Sequence, residues 1–240
     1  MDNTYNKFAY SMRLDTYLVR EKHFGSRSRA QQAIKRGFVV VNHKTILKPS
    51  FDITSRHLVA VASSVDKPAG YWKLKEIQQV FELIKTCDVV LDIGAGAGGF
   101  LSFAAEIAAL VYAVEFSRSC KQLLDTVIKC YPSKTYVTYA DAFSFDFRKF
   151  GIFFDVILCD ITGEPKDSLR ILAKASAVLK LNGRVLQVLK GKANEQDIEE
   201  LKAGIQARGY EPLKVLTGQK NELYIIARKV AESTNAEEGI

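Results

Sequence analysis

The 240-residue sequence predicts an α/β protein: a mostly parallel sheet with one reversed strand, preceded by a small α+β unit. Three observations carry that expectation. From residue 71 onward, short apolar runs alternate with helix-periodic stretches, the pattern of parallel strands joined by helical crossovers. The last two apolar runs, 213–216 and 223–227, are joined by only a few residues around Gly218, which permits an antiparallel pair and forbids a crossover. Charge is also unevenly divided. Residues 1–60 hold 11 Lys/Arg against 4 Asp/Glu and residues 61–240 hold 23 of each, so the whole net charge of +7 lies in the first quarter. A uniformly basic protein is excluded, and so is a single domain of uniform character.

The elements follow in order. Residues 13–23 place Leu14, Tyr17 and Leu18 on one helical face, and Gly25 breaks that helix. Ser26 can cap a second helix, RSRAQQAIKR, which Gly37 can close. A strand is expected over 38–42, a turn at Asn42–His43, a short strand through 45–47 and another over 57–61. Residues 1–61 thus form one basic unit, and 62–70 (ASSVDKPAG) read as a linker. A helix over 71–84 opens the second domain, expected to span 71–230. Strands are expected at 89–93, 111–115, 136–139, 156–159 and 185–189, with helices at 100–109, 118–129, 165–179 and 195–208. Their continuous apolar character suits a sheet covered on both faces. Residues 231–240 (AESTNAEEGI) are polar and acidic and are expected to be disordered.

Composition narrows the class. An apolar fraction of 48% and a charged fraction of 25% are those of a folded soluble protein. No apolar run approaches the roughly 18–20 residues of a membrane helix. MDNTYNKFAYS has no cationic start followed by an apolar stretch, so no secretory signal is expected. Cys87, Cys120, Cys130 and Cys159 show no CxxC spacing; they read as reduced, mostly buried thiols of a cytoplasmic protein, with no metal site.

DIGAGAGGF (92–100) carries the chemistry. Gly94-x-Gly96-x-x-Gly99, with Ala95 inside it, lies directly between a strand and a helix, so a ligand can approach backbone at a helix N-terminus. Glu115 ends the second strand, where an acid accepts from ribose hydroxyls. That fits a nicotinamide dinucleotide or S-adenosyl-L-methionine. Asp92 favours the latter, because a carboxylate there repels a pyrophosphate but suits an ammonium and sulfonium. Asp141, followed by Ala142 after the third strand, is placed to accept from an adenine amine. The closing antiparallel hairpin also departs from the dinucleotide fold. Over roughly 71–230 the pattern resembles the Rossmann-like class I S-adenosylmethionine-dependent methyltransferases. The Asp/Asn-Pro-Pro-aromatic motif of several amine methyltransferases is absent, since that position reads CDITGEP (159–165). Cys159, at a strand end, is expected to be packed there and not to act as a nucleophile.

The strand ends offer a different constellation. Asp160 ends the fourth strand, Lys190 the fifth, Glu222 begins the last, and Lys73 lies in the opening helix. Strand carboxyl ends surround the ligand crevice of such sheets. A desolvated lysine near another cation has a lowered pKa and can serve as a base toward a hydroxyl. YWKLKEIQQVF, DIGAGAGGF, CDITG, VLKGK and NELYIIA resemble the motifs of the FtsJ-like ribose 2′-O-methyltransferases. That resemblance implies a Lys73, Asp160, Lys190, Glu222 tetrad in which Lys190 deprotonates or positions the 2′-hydroxyl.

Met12–Lys44 resembles the small RNA-binding domain named after a ribosomal small-subunit protein, through RLDxxL, the SRSxAxxxI helix and the V-x-V-N turn. Its helices would offer Arg13, Arg20, Arg27, Arg29, Lys35 and Arg36 to RNA phosphates, contacts that give affinity but little sequence information. The two domains together resemble the hemolysin-A (TlyA) family, which implies methylation of a cytidine ribose in ribosomal RNA or a ribosomal subunit. The sequence departs from that family in three places: Ala69 replaces an arginine, ITGE (161–164) replaces Ser-Phe-Ile-Ser, and GKAN (191–194) replaces Pro-Gln-Phe-Glu. Two other classes compete: a non-catalytic RNA-binding or assembly protein that retains the fold, and a pore-former, for which the sequence offers no membrane-active helix.

Overall fold

The computed structural model describes residues 11–62, 65–161, 165–191, 195–218 and 221–230, with only the backbone of 165, 166 and 195. The predicted acidic tail, and most of the two departing loops after Asp160 and Lys190, lie outside the described residues. The chain divides into two units, one ending at Ala69 and the other beginning at Gly70.

The first unit runs β1 (Met12–Arg13), α1 (Leu14–Arg20), α2 (Arg27–Lys35), β2 (Val39–Val41), β3 (Lys44–Thr45), β4 (Asp52–Ile53) and β5 (Val59–Val61). Ser26 caps α2 by accepting from the Arg29 amide at 3.3 Å, and Gly37 follows the helix at φ +77°. Both signals were legible. Asn42 and His43 both take positive φ, so a two-residue turn joins β2 to β3. Leu14, Tyr17 and Leu18 of α1 pack with Ala30 and Ile34 of α2 against Val39, Val41 and Ile53. The antiparallel pair β1–β4 was not expected; two-residue strands have no periodicity to read.

The second unit opens with α3 (Ala69–Val80), which starts before the expected residue 71 and ends earlier than 84. There follow β6 (Val89–Ile93), α4 (Gly99–Ile107), β7 (Leu110–Glu115), α5 (Lys121–Cys130), β8 (Thr135–Tyr139), β9 (Phe154–Cys159), α6 (Pro165–Ala175), β10 (Leu179–Lys190), α7 (Glu195–Gln206), β11 (Tyr210–Thr217) and β12 (Glu222–Lys229). The sheet order is β11-β12-β10-β9-β6-β7-β8. β12 runs antiparallel to both neighbours, and the other four pairings of the sheet are parallel. The expected single reversed strand is therefore present.

Alternation along each strand builds two cores. Val90, Val111, Val156, Leu158 and Val188 face Leu74, Leu101 and Leu124 of α3, α4 and α5. Leu91, Ile93, Ile157, Val185 and Ile225 face Leu169, Leu172 and Ile205 of α6 and α7. The chain winds outward from β6 to β8, then returns to the other side at β9, so a switch point lies between β6 and β9. In open α/β sheets the ligand crevice lies at such a point, at the strand carboxyl ends. The cysteines correct one expectation: only Cys159 is buried, whereas Cys87 and Cys130 are exposed. Those two stand at element ends, where an apolar neighbour in sequence does not guarantee burial.

Candidate active site

The glycine loop sits at the switch point. Gly94 has φ +88°, and a Cβ there would lie 2.7 Å from the Asp160 carbonyl oxygen. At Gly99 a Cβ would lie 2.6 Å from the Tyr71 amide nitrogen. The two glycines therefore let β9 and α3 close on the loop from either side. Ala95 is buried between them. The Gly96 amide donates to Glu115 Oε2 at 2.7 Å, and the Ser117 amide to Glu115 Oε1 at 2.6 Å. Glu115 thus braces the loop, a role that sequence reasoning missed.

Asp92 is fully buried and has no side-chain partner; the Leu101 backbone amide offsets its burial only weakly. Burial, then the nearby Asp160 and Glu115 charges, push its carboxyl up to about 8. A buried acid without partners is costly unless a ligand completes it. A cationic ligand group would supply that partner, so the residues present fit S-adenosyl-L-methionine. Asp141 lies just past β8 and shapes its own turn, Oδ1 accepting from the Phe143 amide at 3.0 Å. Ala142 packs beneath that turn against the β6–β9 core.

Four charged side chains from four elements meet beside this loop. Lys73 Nζ on α3 lies 2.8 Å from Asp160 Oδ2 and 3.0 Å from Glu222 Oε2. Lys190 Nζ lies 3.2 Å from Asp160 Oδ1, an ion pair without hydrogen-bond alignment. Reversal of β12 delivers the fourth member, because Glu222 starts the strand directly opposite Lys190 in register. The lysines differ. The Lys73 side chain is 15% exposed and that of Lys190 is 38% exposed. Burial pulls the Lys73 ammonium down, but Asp160 and Glu222 outweigh it and hold it above its usual range. The expectation of a lysine with a lowered pKa therefore fails for Lys73: two carboxylates within reach counter the desolvation. Lys73 is a fixed cation, and Lys190 is the more exposed of the two lysines. Cys159 is fully buried, and burial pushes its thiol up to about 12, which rules out a ready nucleophile. The sequence reading also missed Tyr224, whose hydroxyl donates to Glu222 Oε2 at 2.8 Å.

In the first unit, the six predicted RNA-facing cations are not equivalent. Arg13 and Arg27 both reach Asp15, at 2.9 and 3.2 Å. Arg29 pairs with Asp66 at 3.2 Å and Arg20 with Glu21 at 2.9 Å. Lys35 is exposed in the last turn of α2, and Arg36 caps that helix. Among the described residues no His, Cys, Asp or Glu cluster could hold a metal ion, and no helix is long and apolar enough to cross a membrane.

Comparison with known proteins places this geometry. Among solved structures, a candidate hemolysin from Streptococcus thermophilus is 19% identical with TM-score 0.60, over 94% of this chain and 91% of that one. The fibrillarin pre-rRNA processing protein of Methanococcus jannaschii is 21% identical with TM-score 0.55, over 62% and 70%. The Aeropyrum pernix fibrillarin bound to S-adenosyl-L-methionine is 20% identical with TM-score 0.53, over 66% and 75%. At these identities the likeness speaks to the fold. A search of curated proteins finds no significant match. The S4 domain matches residues 12–59 and the FtsJ-like methyltransferase matches residues 69–230. The chain belongs to the FtsJ-like methyltransferase family and carries an amino-terminal S4 domain.

Proposed function

We propose that this methyltransferase transfers a methyl group from S-adenosyl-L-methionine to a ribose 2′-hydroxyl of ribosomal RNA, with a cytidine as the favoured acceptor, in the cytoplasm. The observation that carries the reading is the meeting of Lys73, Asp160, Lys190 and Glu222 within ion-pair distance beside the glycine loop. Asp92, Gly94, Ala95, Gly96, Gly99, Glu115, Asp141 and Ala142 form the cofactor side. When bound, S-adenosyl-L-methionine supplies an electrophilic methyl group.

The protein's own residues then have distinct tasks. Lys190, the more open lysine, orients the hydroxyl and takes its proton. Asp160 bridges both lysines and fixes the angle at which Lys190 approaches. Lys73, held cationic, places positive charge beside Asp160 and limits how strongly that acid stabilises a proton on Lys190. Residues 1–61 hold the RNA by its phosphates while residues 71–230 carry out the transfer. Ribosomal RNA, free or within a subunit, is the partner the S4 domain suits.

The test incubates the protein with radiolabelled S-adenosyl-L-methionine and unmodified ribosomal RNA or subunits, followed by digestion to nucleosides. Label on ribose supports the reading. Label on a base, or RNA binding without transfer, contradicts it; the latter outcome favours an assembly protein that retains the fold.

A further inference from the structure

Glu222 has two lysines to choose between. Its side chain meets Lys73 at 3.0 Å. Yet Lys190 is its direct partner across the antiparallel β10–β12 pair, and such partners bring their side chains together on one face of the sheet. Something must decide which lysine receives the second carboxylate.

Tyr224 is placed to decide. It lies two residues along β12, on the same face as Glu222. It is 7% exposed, and its hydroxyl donates to Glu222 Oε2 at 2.8 Å, the same oxygen that meets Lys73. Its ring centroid lies 5.7 Å from Lys73 Nζ, within cation–π reach. Room for the ring is specified as well: a Cβ at Gly218 would overlap the Tyr224 ring and hydroxyl. The Gly218 amide in turn donates to the Glu222 carbonyl at 2.7 Å, so the two residues are fixed to the same strand end.

We propose that Tyr224 is a positioning residue that turns Glu222 onto Lys73 and away from Lys190, and that Gly218 leaves the space its ring requires. The role rests on the reading of the four charged residues as the methyl-transfer centre. Its consequence is chemical. Lys73 keeps two acids and stays protonated, while Lys190 keeps one and remains free to engage a hydroxyl. The phenol serves as a permanent donor, because burial and then the Glu222 carboxylate drive its titration far above the usual range.

The experiment reads the two lysines separately. Wild type, Tyr224→Phe, Glu222→Gln and the double variant are acetylated competitively with acetic anhydride, and the reactivity of each lysine is measured by peptide mass spectrometry. In Tyr224→Phe, Lys73 reactivity should rise about tenfold and Lys190 reactivity should fall, as expected when a hydrogen bond to a charged group is lost and Glu222 redistributes. Glu222→Gln should raise Lys73 alone, and adding Tyr224→Phe to it should change neither lysine further. Unchanged lysines in Tyr224→Phe would overturn the proposal, as would equal effects of Tyr224→Phe with and without Glu222. A packing role for the ring predicts just those results. Methyl transfer to RNA is measured on the same samples. Tyr224→Phe should lower kcat about tenfold and leave the S-adenosyl-L-methionine Kd within about twofold. If wild type transfers no methyl group, the functional reading fails, and the lysine reactivities still decide the role of Tyr224.

Discussion

Among the described residues two aspartates, Asp15 and Asp92, are closed to solvent, and they are opposites. Asp15 in α1 accepts from Arg13 at 2.9 and 3.0 Å, from Gln31 at 2.7 Å and from Arg27 at 3.2 Å. The Arg13 hydrogen bond, then those of Gln31 and Arg27, outweigh burial and hold its carboxyl far below the usual range. Asp92 at the end of β6 has no such partner, and its carboxyl is pushed up to about 8. Equal lack of solvent exposure thus accompanies two different settings: half-exposed arginines cover Asp15, and the core encloses Asp92. Asp15 ties α2 to α1 within its own unit. Asp92 is the acid proposed to meet the cofactor's cationic groups. Partner inventory, not burial, separates a structural acid from a binding acid.

The largest expected effect breaks the Asp15 side. Asp15→Ala removes the acid shared by Arg13, Arg27 and Gln31 and should cost the first unit about 1–3 kcal/mol, because the arginines left behind are half exposed. Hydrogen exchange should show that unit losing protection, with S-adenosyl-L-methionine binding by residues 70–230 retained. Asp92→Asn should do the reverse. It should weaken S-adenosyl-L-methionine binding by calorimetry about 10–100-fold while leaving the second unit at least as stable, because a costly buried acid has been neutralised.

The pH slopes should also oppose each other. Asp15 has a depressed folded value, so its stabilisation is complete above about pH 4 and is lost as pH falls below that. Asp92 has a raised folded value, so the folded state holds a proton that the unfolded chain releases between about pH 4 and 8, and stability falls as pH rises through that window. Ligand binding needs the charged form. S-adenosyl-L-methionine affinity should therefore fall up to about tenfold per pH unit below about 8, and Asp92→Asn should flatten that dependence. The smallest effect concerns RNA. Lys35→Ala should reduce the salt slope of RNA binding by about 1, whereas Arg27→Gln should reduce it by less, since Asp15 already neutralises that arginine.

How much of this was legible follows from what each residue answers to. The glycine loop answers to local backbone geometry, so Gly94 and Gly99 could be read directly from spacing. The reversed strand answers to connection length, and the short link around Gly218 announced it. Asp15 answers to tertiary packing. In sequence it is an ordinary acid in a first helical turn, and only the docking of α2 on α1 buries it. Tyr224 is equally silent, because its partner depends on which face of β12 meets α3. The fifth strand was expected only over 185–189, yet β10 begins at Leu179 and runs through Lys180–Gly183 with Asn182 at φ +62° and a register shift. The lysine chemistry was legible as a set of positions. The division between a doubly paired Lys73 and a more open Lys190 required their distances.

That division is the claim to test most directly. Lys190→Ala is compared with wild type for transfer of labelled methyl from S-adenosyl-L-methionine to ribosomal RNA, with cofactor affinity measured on the same preparation. Transfer should be abolished while the Kd stays within about twofold, because Lys190 acts on the acceptor and not on the cofactor. Persistent transfer in Lys190→Ala would contradict the account.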